Sequence, residues 1–343
     1  MKIEIITTPN EKLKETGFGS LKACQSVFDA INKLEHKVKL SVCSNLQDLE
    51  RVVNRKPDLV ILAVKYISVE EGNDIWLSEY FAEHEINYSG SSREVLKFDS
   101  DKVLAKKHLK KKGIKTADFF TAIPGQYKSE ADLPVAFPLF LKPVDAANGN
   151  GIDDQSLVTD FAEFESKTLA LYTAYKQPVL AEEYLQGREF SVALIKTEDS
   201  KLIVSAVEII PPQSSRGLRI LGQKVKQEDS EEIIKIDDLI IRDEVKQLAM
   251  AAFTKLGIWD FGRIDIKTNQ HGQCYFMEAN LVPGMTSGSS YFPRACEIAN
   301  ELSYDEVIQL IVENGISRTP YAEPLAIPAV IPGNTDDNRI ALM

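Results

Sequence analysis

The sequence predicts an α/β protein built in two styles: a parallel-sheet βαβ unit first and α+β units behind it. Three observations predict this. Residues 58–64, DLVILAV, are a continuous apolar run of the kind that forms a strand buried on both faces. Ahead of it stand a strand-like run at 2–8 and a segment at 20–34 in which Leu21, Val27, Phe28, Ile31 and Leu34 recur at helical spacing. Beyond residue 113, short strand patterns follow one another without regularly alternating helices, so the sheets there are antiparallel or mixed.

The elements follow in order. Residues 75–83 read as a helix, and the Asn- and Ser-rich turn cluster at 87–92 is a candidate domain boundary. Asp99, Ser100 and Asp101 can cap a helix over 102–112 that stops at Gly113. Strands are predicted at 137–142, 178–183, 189–195 and 202–209, then a mobile loop at 211–222 and a helix at 242–256. Strands at 262–267 and 273–279 flank a turn at 269–272, and an amphipathic helix covers 304–314. The expected units are residues 1–92, 93–186 and 187–318. A Pro-rich tail, 319–343, is read as disordered or draped on the surface.

The chain has 343 residues, 44% of them apolar, enough for two or three cores. A net charge of −11 argues against nucleic-acid partners, because a phosphate backbone needs a basic surface. Lys110, Lys111 and Lys112 read as a solvated helix face. The cysteines Cys24, Cys43, Cys274 and Cys296 form no CxxC pair and share no ligand spacing with the four histidines. Reduced, packed thiols are expected and zinc is not. With no signal-peptide pattern and no apolar stretch long enough to span a bilayer, the expectation is a cytoplasmic protein without membrane partners.

Four groups of residues can carry chemistry. Along strands, Arg263 shares a face with Asp265, and Glu278 shares one with Asn280. If these strands pair, two carboxylates and an amide converge, an oxygen set suited to Mg²⁺ beside nucleotide phosphates. Residues 281–290, LVPGMTSGSS, place Gly284 and Gly288 where backbone N–H groups approach an anion, with Ser287, Ser289 and Ser290 near a helix start. Lys142 ends an apolar strand before a Gly-containing loop at 145–152, a phosphate clamp that is not a Walker A. Glu182, Glu183 and Glu189 stand at strand ends where carboxylates can meet an adenine amine and ribose hydroxyls.

Together and in this order, these groups resemble the ATP-grasp superfamily, and within it the D-alanine–D-alanine ligases. The resemblance runs from about residue 87 to 315. It is most specific at 262–265, GRID, and at 278–287, EANLVPGMTS, close to the E-x-N-x-x-P-G-M-T-S of those ligases. It implies an ATP-grasp fold behind an N-terminal parallel-sheet domain, and ATP with Mg²⁺ as cofactors. It also implies a ligase that activates one amino acid as an acyl phosphate and joins it to the amine of another, as in peptidoglycan assembly. By resemblance, Lys102 and Lys142 hold phosphates; Glu182, the backbone at Glu183 and Leu185, Met277 and Glu189 contact adenosine; and Asp265, Glu278 and Asn280 bind Mg²⁺. Lys224 is the mobile-loop lysine, Arg263 and the Gly284 N–H stabilise the oxyanion, and Ser289 and Ser290 grip the acceptor carboxylate. A homodimer is implied only by analogy.

The departures lie on the first-substrate side. Asn148 and Gly149 stand where a serine orients the donor, Val225 stands beside the loop lysine in place of a tyrosine, and residues 65–72 lack the histidine of H-G-x-x-G-E-D-G. Glu15 and Glu11 are loose candidates for holding the donor ammonium, and Lys65 is either a partner for an extra acid on the donor or solvent-facing. ATP-dependent ligation of two amino acids is therefore expected, either D-alanine twice or a pair with a different donor, and the donor is left open. The competing readings are an ATP-grasp ligase with another substrate pair, an ATP-grasp enzyme acting on another class of acid, and a nucleotide-binding protein whose catalysis has decayed.

Overall fold

The computed structural model describes residues 1–70, 73–145 and 148–318. The expected tail at 319–343 and parts of the 65–72 and 145–152 segments lie outside these residues.

The first unit carries a parallel sheet in the order β2-β1-β3, from Lys2–Thr7 (β1), Lys37–Val42 (β2) and Leu59–Leu62 (β3). All four residues of β3 are buried, as a continuous apolar run requires. The helix Leu21–Lys33 is capped by the Ser20 side chain and buries Ala23, Cys24, Val27, Ala30 and Ile31. A short hairpin follows, Tyr66–Glu70 (β4) with Asn73–Trp76 (β5), so the expected helix at 75–83 begins only at Leu77. The predicted boundary at 87–92 is not an exposed linker. Tyr88 bridges in parallel to Val60, Ser89 and Ser91 are buried, and the Gly90 N–H donates to Asp260 at 2.7 Å.

Phe119–Ala122 (β6), Leu139–Pro143 (β7), Leu157–Val158 (β8) and Val179–Glu183 (β9) form an antiparallel sheet in the order β6-β9-β7-β8. Glu189–Lys196 (β10), Leu202–Ile210 (β11), Glu232–Lys235 (β12), Phe261–Thr268 (β13) and Cys274–Asn280 (β14) form a second, in the order β12-β11-β10-β13-β14. The helix Leu239–Leu256 packs on this sheet through Val245, Ala249, Ala252 and Phe253. Asp101 caps the helix Lys102–Lys111, accepting from the Leu104 N–H at 2.8 Å. Lys110, Lys111 and Lys112 are exposed, and Cys24, Cys43 and Cys296 are buried free thiols. The helix Phe161–Tyr175 was not foreseen; its polar face interrupts the apolar period. No helix among the described residues is long and apolar enough to cross a membrane.

Candidate active site

β13 and β14 pair with Arg263 opposite Asn280 and Asp265 opposite Glu278, so strand alternation puts all four side chains on one face. Asp265 is held on every side. The Arg263 Nε and Nη2 donate to its two oxygens at 3.0 and 2.9 Å, the Ser191 hydroxyl donates at 2.7 Å and the Asn280 amide at 3.0 Å. Burial opposes the Arg263 charge, but Asp265 outweighs it and keeps the guanidinium charged. Burial would raise the pKa of Glu278. Lys102, whose Nζ stands 3.6 Å away, with Lys142, Lys226 and Arg263, overcomes that and holds the carboxyl at about 2. Asp265, Glu278 and Asn280 thus offer two ionised or hydrogen-bonded carboxylates and an amide on one rigid face, a hard-oxygen set that fits Mg²⁺.

Behind this face lies a buried charge cluster. The Glu182 carboxylate, 1% exposed, stands 2.6 Å from Lys142 Nζ and 2.9 Å from Lys106 Nζ. Burial would raise its pKa, and the two lysines drive it down. Glu182 therefore does not present free oxygens to an adenine amine, as the resemblance implied; it fixes Lys142 instead. Lys106 is fully buried and was not anticipated. The available signal was its place one helical turn after Lys102.

A slot opens between the two antiparallel sheets. Phe140 and Tyr184, stacked with centroids 6.1 Å apart, line it with Ile152, Leu185, Ile220, Leu221 and Met277. Glu183 and Glu189 stand at its rim, with Glu189 paired to Lys267 at 2.8 Å. A flat apolar slot that ends on Lys142, Glu278 and Asp265 suits a nucleoside at one end and its phosphates at the other.

A second, polar cavity adjoins the face of Arg263, Glu278 and Asn280. Glu15, Lys65, Asp99, Asn148, Asp229, Glu231, Gly284, Ser289, Ser290 and Tyr291 line it. The segment after Glu15 is pinned: Phe18 N–H donates to Ala63 O at 2.9 Å, and Met285 N–H donates to Phe18 O at 3.2 Å. A Cβ on Gly17 would meet Ala63 O at 2.2 Å, so only glycine lets the chain approach here. The Asn148 amide donates to the Glu15 carbonyl at 3.3 Å and the Asn150 amide to the Glu15 carboxylate at 3.4 Å.

Several expectations change. Lys65 is neither solvent-facing nor free for a substrate: it is 3% exposed and paired with Asp99 at 2.8 Å. Asp99 also accepts from the Leu281 and Val282 N–H groups at 2.6 and 3.2 Å. Lys224 points away from the site, exposed and 3.9 Å from Glu228. Two residues on, Lys226 lines both the slot and the polar cavity, with its Nζ 5.7 Å from the Tyr291 ring centre. The short helix Gln223–Glu228 turns these two lysines to different sides, which spacing alone could not decide. Gln227, not Val225, then follows the loop lysine. The Ser289 hydroxyl donates to Asp229 at 3.3 Å, whereas the Ser290 hydroxyl accepts from the Thr286 N–H at 2.9 Å and keeps its own proton to donate into the cavity that both residues line.

Residues 108–313 match the family model described as D-ala D-ala ligase C-terminus. The chain belongs to this ligase family. It is 26% identical to D-alanine–D-alanine ligase B of Clostridium perfringens over 93% of its own length and 99% of that protein's. With the Aquifex aeolicus D-alanine–D-alanine ligase the figures are 28%, 85% and 94%. The fold matches the ATP-complexed D-alanine–D-alanine ligase of Bacillus anthracis (TM-score 0.70, 22% identity, 92% of this chain and 97% of that one). It also matches the VanG D-Ala:D-Ser ligase of Enterococcus faecalis (TM-score 0.69, 21% identity, 92% and 99%). The ATP-grasp expectation is thereby borne out, and the family member described here is an ATP-dependent, ADP-forming ligase.

Proposed function

We propose that this ligase joins the carboxylate of a donor amino acid to the amine of an acceptor, with Mg²⁺ held by Asp265, Glu278 and Asn280. One observation carries the reading: the cross-strand face of Arg263, Asp265, Glu278 and Asn280 sits where the nucleoside-shaped slot and the polar cavity meet. When bound, Mg²⁺ neutralises phosphate charge during transfer.

The chain's own groups position and stabilise. Lys142, fixed by Glu182, and Lys102, beside Glu278, face the phosphate end of the slot. The donor carboxylate oxygen attacks the γ-phosphorus, the bond to ADP breaks, and an acyl phosphate forms. The acceptor amine then adds to the acyl carbon, phosphate leaves with the C–O bond electrons, and the amine nitrogen loses a proton. Arg263 and Gly284 both line the polar cavity, and the guanidinium and the Gly284 N–H would stabilise the tetrahedral oxyanion. Lys226 and the 211–222 loop cover the junction and exclude water from the acyl phosphate. Glu15, tied to Asn148 and Asn150, is the donor-ammonium candidate. Its altered loop supports a donor other than D-alanine.

ADP formation by the purified chain with Mg-ATP and pairs of D- and L-amino acids tests this. The reading expects a pair that turns over, with the product identified by mass. Efficient synthesis of D-alanyl-D-alanine from D-alanine alone overturns the altered donor, and no turnover with any pair overturns the ligase assignment to amino acids. Glu278→Gln is expected to abolish turnover while the circular dichroism spectrum is retained; near-normal activity would remove Glu278 from the metal site. Homodimerisation, proposed from family analogy, is tested by light scattering.

A further inference from the structure

Two cations of the junction share one aromatic neighbour. The Lys226 Nζ lies over the Tyr291 ring, 5.7 Å from its centre, and the Arg263 guanidinium carbon lies over it at 5.4 Å. They reach the ring from different elements, Lys226 from the short helix Gln223–Glu228 and Arg263 from β13. Their other restraints differ. Two bonds to Asp265 already hold Arg263 within the guanidinium plane, and the ring adds a constraint across that plane. Among the described residues, no hydrogen bond or ion pair engages the Lys226 ammonium, which leaves the ring to place it. A long flexible side chain otherwise samples many positions, and an aromatic face narrows them.

The Tyr291 hydroxyl has a separate task. It donates a short hydrogen bond to Glu231 Oε1, just beyond the helix that carries Lys226. Burial and the Glu231 bond raise the pKa of Tyr291, so the hydroxyl keeps its proton and stays a donor. Glu231 is 9% exposed, and its Oε2 is buried without a hydrogen-bond partner among the described residues. The hydroxyl is therefore the donor that makes burial of this carboxylate tolerable, and it fixes the chain that follows the lysine. The Ser289 bond to Asp229 acts on the cap of the same helix. Tyr291 itself has a rigid base. It opens the helix Tyr291–Asn300, whose next residues Phe292 and Pro293 are buried, and the Phe292 ring packs edge-on to Phe261 of β13.

We propose that Tyr291 is a positioning residue of the ligation: its ring places Lys226 and Arg263 at the reaction centre, and its hydroxyl, through Glu231, seats the helix that delivers Lys226. This rests on the ligase reading above for the roles of Lys226 and Arg263. Tyr291 acts through these two cations and not on the reacting atoms.

Steady-state ADP formation and amide hydrogen exchange of the full chain test it. Tyr291→Leu removes ring and hydroxyl and is expected to lower kcat about tenfold or more, the range of desolvated cation–π contacts. Tyr291→Phe restores the ring and is expected to recover at least about threefold of that loss. In the Lys226→Ala background the Tyr291→Leu loss should shrink at least about threefold, because one of the two cations is gone. A fully additive loss marks a merely structural residue and overturns the proposal, as does a Tyr291→Phe variant as slow as Tyr291→Leu. Exchange over residues 223–231 needs no turnover, and it reads Tyr291→Phe even if Tyr291→Leu folds poorly. That substitution leaves Glu231 buried without a donor, so exchange there is expected to accelerate about fivefold or more. Adding Glu231→Gln removes the buried charge and should return part of the protection. Unchanged exchange in Tyr291→Phe overturns the proposal. Absence of turnover with every amino-acid pair sinks the ligase reading instead, and exchange still decides whether Tyr291 seats the helix.

Discussion

Lys224 and Lys226 differ by two positions, and side-chain direction decides between them. Lys226 lines both cavities, whereas Lys224 is exposed. Lys226→Ala is therefore expected to lower kcat/KM by about a hundredfold, in the range of a lost transition-state charge contact, and Lys224→Ala by less than about twofold. Steady-state ADP formation measures both, and the reverse ranking would restore Lys224. Glu182 belongs to the same scale. Its pKa is depressed in the folded chain by Lys106 and Lys142 against the cost of burial. The stability it contributes is therefore present above the ordinary carboxylate value of about 4.3 and is lost as pH falls below it. Glu182→Gln is expected to cost about 3–5 kcal/mol at pH 7, because it leaves two buried lysines uncompensated. Thermal unfolding of both proteins at pH 7 and pH 3 should show the gap narrow in acid; an unchanged gap contradicts the charge account.

At the scale of elements, the 211–222 loop and the 148–152 segment meet backbone to backbone. A Cβ on Gly222 would lie 2.5 Å from the Ile152 carbonyl oxygen, and one on Gly149 would lie 3.0 Å from Gln223 N. Ile220 and Leu221 of the same loop line the apolar slot proposed to take the nucleoside, so displacement of the loop is felt there. Gly222→Val is expected to raise KM for ATP about tenfold or more, as misplacement of a covering loop does, while the melting temperature moves little. An unaltered KM would mean that the loop seats without this contact. The strands flanking the 269–272 turn were legible: β13 and β14 pair through it, and their alternating side chains meet on one face as the sequence reading expects. The β4–β5 hairpin and the helix Phe161–Tyr175 were not, because short or weakly amphipathic segments owe their form to the surfaces they pack on.

Across the whole molecule, one buried contact ties the first unit to the last strands. Asp260, 2% exposed, accepts from the Gly90 N–H and from Arg318, and the Arg318 guanidinium lies 4.6 Å from the Tyr88 ring centre and 4.9 Å from that of Trp259. Arg318→Ala strands the Asp260 charge and is expected to destabilise the chain by about 3–5 kcal/mol. Adding Asp260→Asn should return part of that loss in a denaturant titration; strict additivity would deny the pairing.

The sequence by itself determined the fold class, the ligase family and the strand face proposed to hold Mg²⁺. These rest on patterns local in the chain: strand alternation around Asp265 and Glu278, and the glycines and serines that follow them. Only the tertiary structure decided that Lys65 pairs with Asp99, that Glu182 is enclosed by Lys106 and Lys142, and that Lys226 and not Lys224 lines the two cavities. The reason is physical: a charge's role depends on which distant groups and how much water surround it, and neither is written in the spacing of neighbours.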